Sequence, residues 1–320
     1  MPDSAAAYTP QGYTSRPLRD DEDFWRVRRL LVETFPITGL GWNIDVRNWD
    51  ASRFYDPNPD LDPEWAARIR LWETAEGRLA GAAMPEDGGW FYLQLHPDYR
   101  EDLEAGMIAW AEENLAVPVG DGQGRRIQTM VYDYDFPRQR LLGARGYEML
   151  PHGSVARRMY LGDRPLPPVP AMAPGYTLRT LRGSDPADCQ RLADLLNAAF
   201  GRTFHTAGEM LTFSRLAPSY DEDLHLVAKA PDGSFAAHAA IILEPVNRSA
   251  VYEPVCTHPD HRRKGLARIL MLECLHRVKA RGARQVFVET GQGEAANRLY
   301  DSFLFTEKYT GHVWCRVWGR

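Results

Sequence analysis

The residues with the clearest chemical promise lie between Glu253 and Arg268. A β-rich run over 250–257 leads into a turn carrying Arg262, Arg263 and Lys264, and Gly265 then opens an apolar-periodic stretch to residue 279 that reads as a helix. A helix start presents unpaired N–H groups and the positive end of a dipole, which together make an anion site. Gly265 lets the backbone approach a phosphate closely, and Ala267 is small enough to do nearly the same. Arg262, Arg263, Lys264 and Arg268 would supply charge for a pyrophosphate. The segment has no GxxxxGK[ST] pattern and no GxGxxG followed by an acidic residue, so two familiar phosphate-binding loops are excluded.

The elements that must hold this turn occur twice. Gly12–Arg19 is echoed by Gly175–Arg182, His96–Arg100 by His258–Arg262, and Leu141–Tyr147, more weakly, by Leu299–Phe305. The matches keep their order at an offset of about 160 residues, too long for a solenoid repeat, so they mark two copies of one domain. Between the copies, residues 164–174 hold five prolines and read as an extended spacer. The expected division is a first domain over 1–163, a linker over 164–174 and a second domain over 175–320. Within the second copy, strands are expected over 176–181, 224–230, 234–243, 250–257 and 285–289, helices over 186–200, 265–279 and 294–303, and a closing pair of strands from 305 to 318. Early hairpins followed by a strand–helix–strand crossover predict an α/β domain with a mixed sheet.

Composition narrows the function. The chain has 320 residues, 44% hydrophobic and 25% charged, with 38 Lys and Arg against 43 Asp and Glu for a net charge of −5. That balance argues against nucleic acid as a partner. No apolar run reaches the ~18 residues of a membrane span, and the N-terminal segment lacks a signal pattern, so a cytoplasmic location is expected. The four cysteines (Cys189, Cys256, Cys274 and Cys315) have no CxxC spacing, which speaks against a disulfide scaffold or a zinc cluster. No metal is expected.

Residues 257–267 resemble the acetyl-CoA signature of the GNAT N-acetyltransferases, Val-x-Pro-x-x-Arg-x-x-Gly-x-Gly/Ala after a strand, with Thr257 in place of valine. The family's second mark, Ala-x-x-Leu-Tyr on a helix, resembles Ala296–Tyr300. Gly293 stands where the family usually has asparagine, and Leu304-Phe305 where it has Gly-Phe. The whole chain is similar to the tandem GNAT type, organised as in mycothiol synthase. The resemblance implies two GNAT-like domains, each a mixed, mostly antiparallel sheet flanked by helices, and direct acetyl transfer from acetyl-CoA, as co-substrate, to a primary amine of a small molecule. It also implies that the copies pack as an intramolecular pseudo-dimer, in a monomer or homodimer.

On that resemblance, backbone along Val255, Cys256 and Thr257 binds the pantetheine arm and polarises the thioester carbonyl. Residues 262–268, with Leu266 among them, hold the pyrophosphate, and Asn297 adds a cofactor contact. Tyr300 protonates the departing thiolate as general acid, and Glu253 is the candidate base. Strand alternation puts Glu253 on the face of Val255 and Thr257, and Pro254 gives up a ladder bond where strands can part. Read alone, Tyr300 is a helix-face tyrosine packed on the sheet, Glu253 a salt-bridged strand residue and the basic cluster a solvated helix start. Cys256 lacks a Cys–His–Asp set and reads as packing, and His258 and His261 as turn-shaping residues. Tyr220-Asp221-Glu222-Asp223 could line an entrance for a cationic amine or could be plain surface. In the first copy, Glu101, Asp102 and Leu103 replace Arg263, Lys264 and Gly265, and Leu142 replaces Tyr300, so that copy is expected to be degenerate and structural. A non-catalytic acyl-CoA sensor, or transfer to peptide or protein amines, are the competing functions.

Overall fold

The computed structural model describes residues 9–120, 122–163 and 165–319. The first eight residues of the first repeat and Arg164, which heads the proline-rich stretch, lie outside the described residues. In chain order the elements are β1 (Tyr13–Pro17), α1 (Asp21–Thr34), α2 (Val46–Phe54), α3 (Pro63–Ala67), β2 (Arg70–Thr74), β3 (Leu79–Glu86), β4 (Trp90–Leu95), α4 (Arg100–Asn114), β5 (Val117–Val119), β6 (Gly124–Tyr132), α5 (Phe136–Ala144) and β7 (Glu148–Tyr160). They are followed by β8 (Thr177–Thr180), α6 (Pro186–Phe200), α7 (Ala207–Leu216), β9 (His225–Lys229), β10 (Phe235–Glu244), β11 (Ser249–Thr257), α8 (Leu266–Ala280), β12 (Gln285–Gly291), α9 (Glu294–Asp301) and β13 (Glu307–Trp318). Among the described residues no helix is long and apolar enough to cross a membrane.

The chain forms two compact units whose limits differ from the division at the proline-rich stretch. The first unit comprises the chain up to Asp45, Leu61–Ala156 and the segment from Tyr309 onward; the second comprises Val46–Asp60 and Arg157–Lys308. Sequence similarity marks where the copies begin, whereas pairing and packing decide which segment completes which unit. β13 joins the first unit because Gly311–Trp318 pair antiparallel with Tyr132–Arg125 of β6. It is one long strand rather than the expected closing pair; Gly311 allows close passage of Gly153, whose added Cβ would stand 1.9 Å from the Gly311 oxygen. Val46–Asp60 belongs to the second unit through Tyr55, stacked on Phe213 at 4.4 Å, and through Pro57, whose carbonyl accepts from Thr212.

Each unit is an α/β domain with a mixed, mostly antiparallel sheet. In the first, β1, β2, β3 and β4 pair antiparallel in that order, and β4 meets β6 in parallel across the α4 crossover. In the second, β8, β9, β10 and β11 repeat the antiparallel run, and β11 meets β12 in parallel across α8. Apolar side chains of α8 (Leu270, Met271, Leu275 and Val278) close the core over Ala237, Ala239, Ile241 and Val286. α6 starts where Pro186 presets its first turn and Asp185 caps the Ala187 N–H, and it stops at Gly201, left-handed at φ 64°. The proline-rich stretch is no loose spacer: Leu166, Val169 and Met172 pack on the second core, and the Pro167 carbonyl lies 2.8 Å from His276 Nε2.

Candidate active site

β11 and β12 are neighbours only at their start. Their ladder joins Ser249 to Gln285, Ala250 to Val286 and Val251 to Phe287 and ends there, although the strands continue to Thr257 and Gly291. On its other edge β11 stays paired with β10 as far as Thr257 opposite Ala237. A register shift leaves Glu253 and Pro254 opposite the single residue Ala240, a bulge that bends the strand where the two neighbours part.

Past Thr257, a short turn over Pro259–His261 is closed by His258, whose Nδ1 accepts from the Asp260 N–H at 3.3 Å. The backbone is extended at Arg262, then left-handed at Arg263 (φ 61°) and at Gly265 (φ 74°) before α8 begins. α8 has no side-chain cap, and no acidic residue in its first turn, so its leading N–H groups face outward without a carboxylate to quench them. A Cβ on Gly265 would meet nothing within 4 Å; the left-handed φ, not crowding, demands glycine there.

Arg262, Arg263 and Lys264 are exposed and Arg268 is half-buried, and the contacts they make are few. Arg262 donates to the Ala199 carbonyl at 3.2 Å, Lys264 to the Tyr176 hydroxyl at 2.7 Å, and Arg268 to the Ser302 carbonyl at 2.8 Å. Val255, Cys256 and Thr257 occupy the stretch of β11 beyond its ladder with β12. Burial pushes the Cys256 thiol up to about 12, with Glu253 adding to it, so the thiol stays protonated and unreactive near neutral pH. Leu266 is buried in the core, so its side chain is structural and only its backbone faces the turn.

Tyr300 is 6% exposed. Burial raises its phenol well above the ordinary value; Glu253 and Cys256 push the same way and Arg157 opposes them. Glu253, Cys256 and Tyr300 therefore lie within electrostatic reach of one another. Glu253 is 40% exposed at its side chain, with Arg47 Nη1 4.0 Å from its carboxylate. Asn297 is engaged on both sides: Nδ2 donates to the Gly291 and Gly293 carbonyls, and Oδ1 accepts from Arg157 at 2.7 Å.

On the face of β11 that carries Pro254 and Cys256, a small cavity is lined by Tyr55, Phe213, Tyr220, His225, His238 and Pro254. Burial holds both histidines below the ordinary imidazole value, His238 at about 4. The acidic loop does not front this cavity as free charge: Asp221 and Asp223 pair with Arg281, and Glu222 accepts from the Gly183 N–H. Sequence reasoning missed Arg47 and Arg157, both of which precede the proline-rich stretch, with no spacing signal to tie them to the second copy.

Comparison with known proteins agrees with this architecture. Residues 189–304 match the model of the acetyltransferase (GNAT) family. A tandem GNAT protein from the clavulanic acid biosynthesis pathway superposes with a TM-score of 0.65 at 17% identity, covering 95% of this chain and 98% of that one. A GCN5-related N-acetyltransferase from Sphaerobacter thermophilus gives 0.59 at 19% identity, covering 95% and 96%. No curated protein matches the chain in sequence. The second repeat carries a GNAT-family domain, and the chain as a whole has the tandem GNAT fold.

Proposed function

We propose that the chain is an acetyl-CoA-dependent N-acetyltransferase of a small-molecule primary amine, with one working site, in the second repeat. The observation that carries this is the parting of β11 and β12 after Val251, directly upstream of an uncapped helix start ringed by Arg262, Arg263, Lys264 and Arg268. The pantetheine arm follows Val255–Thr257, and the pyrophosphate sits at Gly265, Leu266 and Ala267. The amine nitrogen attacks the thioester carbonyl to form the C–N bond, and a β11 N–H takes the charge that develops on oxygen. Collapse breaks the C–S bond, and the Tyr300 proton passes to sulfur. The ammonium proton leaves through Glu253, whose side chain is reached by solvent, and the phenolate is reprotonated in the same exchange.

The first repeat is proposed to be structural. The β4 position matching Thr257 is Leu95, and both of its backbone groups are engaged: the N–H donates to Asn43 Oδ1 at 2.9 Å, and the carbonyl accepts from Trp42 Nε1 at 2.9 Å. Neighbouring Gln94 is fully buried and accepts from the Ile44 N–H. Side chains thus occupy the strand edge that a pantetheine would use.

Calorimetric titration with acetyl-CoA, followed by a panel of small amines monitored by free thiol release, tests the reading. One site per chain and amine-dependent thiol release are expected. Absence of binding at millimolar acetyl-CoA, or two sites per chain, would overturn it.

A further inference from the structure

Resting on that reading, we propose that Arg157 is a positioning residue acting through Tyr300: its guanidinium is the fixed positive charge beside which the phenol gives up its proton.

Arg157 lies at the end of β7, ahead of the proline-rich stretch, and is 2% exposed. Its guanidinium carbon stands 5.9 Å from the centre of the Tyr300 ring. Nε donates to Asp301 Oδ1 at 2.9 Å and Nη2 to Asn297 Oδ1 at 2.7 Å, so the cation is fixed to both ends of the turn of α9 that carries the tyrosine. Nη1 is buried and, among the described residues, has no hydrogen-bond partner. A buried cation with an unsatisfied donor is costly, and such features are retained where charge develops during a reaction. Asp301 offsets the charge only in part, because its side chain is 49% exposed and it is shared with Lys308 at 3.0 Å.

When the C–S bond breaks, the proton on the Tyr300 oxygen moves to sulfur and a phenolate remains until it is reprotonated. Burial and Glu253 both oppose that phenolate, and Arg157 is the charge that favours it. The cation therefore lowers the cost of the transfer and leaves cofactor affinity alone.

A double-mutant cycle tests this in the full chain. Arg157→Met should lower kcat about 30-fold, with KM for acetyl-CoA within about threefold, whereas Arg157→Lys should recover most of the loss. In a Tyr300→Phe background, Arg157→Met should cost less than about twofold more. In cofactor-free protein, amide exchange across Glu294–Asp301 should stay within about threefold of wild type in Arg157→Met, because Asn297 keeps its bonds to Gly291 and Gly293. An equal loss in both backgrounds, failure of lysine to rescue, or exchange loosened across α9 would make Arg157 a mere strut and overturn the proposal. If Arg157→Met does not fold, the lysine variant still decides: it should retain kcat, and a loss additive with Tyr300→Phe would refute the role. A wild-type chain that transfers acetyl groups while the cycle is additive sinks only Arg157; one that transfers none removes both readings.

Discussion

The two repeats make the same turn and then part company over four residues. In both, a His-Pro-Asp step forms a short helical turn closed by the histidine: His96 Nδ1 accepts from Asp98 N–H at 3.3 Å, as His258 does from Asp260. In the first repeat the chain runs straight into α4 at Arg100. Arg100 turns inward onto Trp42, at 4.5 Å, and pairs with Glu104 and Asp135. Leu103 is fully buried in the core, and Glu101 and Asp102 provide the negative charge that a helix start favours. In the second repeat the corresponding four residues stay out of the helix, two of them left-handed, and their cations remain outside. A helix start that carries its own acids and anchors its own leucine disfavours an anion, whereas one left bare and basic favours it. The same contrast holds on the strand: the residue matching Glu253 is Phe91, and it is buried.

The largest effect should come from Gly265→Glu, which puts a carboxylate and a strained backbone at the helix start. Acetyl-CoA affinity should fall at least about 1,000-fold by calorimetry while thermal unfolding moves little; near-normal affinity would remove the phosphate assignment. The matching position in the first repeat should answer only in stability. Leu103→Ala is expected to cost about 3 kcal/mol in denaturant unfolding with acetyl-CoA binding intact, so a loss of binding there would break the contrast. Tyr300→Phe should cut kcat about 100-fold without weakening cofactor binding by more than a few-fold, whereas Leu142→Tyr should confer no activity on the first repeat. An unchanged kcat in Tyr300→Phe ends its role as acid.

The smallest effect is one of pH. The ladder partner of Cys256 is His238, and that of Gln94 is Ala82, so only the second unit buries a titratable group at this place. Burial lowers His238 to about 4; the Leu226 carbonyl opposes the shift and Arg47 adds to it. An unfolded chain binds this proton near pH 6.5 and the folded one only near pH 4. The stability it contributes is therefore complete above about pH 6.5 and is lost as pH falls towards 4, by about 3 kcal/mol. His238→Gln should flatten that slope in denaturant midpoints measured between pH 7 and pH 4.5; an undiminished slope would assign the acid sensitivity to His225 or to groups elsewhere.

Much of the second repeat was legible because its signals are local. Pro186 and Gly201 bound α6 where the proline and the spacing place it, and the turn at Gly233 separates β9 from β10. The basic turn and the Ala-x-x-Leu-Tyr helix were legible for the same reason, since chemistry and spacing lie within one short segment. What escaped was long-range. Nothing in the periodicity of residues 305–318 says that they continue as one strand whose partner, β6, lies about 180 residues earlier. Arg157 and Arg47 likewise carry no mark of the unit they serve, because an arginine near a strand end or in a short helix is ordinary until its neighbours are known. α7 was not anticipated either; its apolar side is held by residues distant in the chain, Met210 in the core with Val227 and Cys256 and Phe213 on Tyr55.

The exchange of segments between units also bears on how the protein comes to be made. β6 emerges from the ribosome with the strand edge destined for Gly311–Trp318 still empty, and that edge stays open while well over a hundred further residues are synthesised. An unpaired edge at that stage is a site for wrong pairing and aggregation. Translation must therefore run past Trp318 before the first unit, although begun first, can close its sheet. A cut at the proline-rich stretch would release two fragments, one lacking its last strand and the other lacking Tyr55, and neither should fold well without the other present.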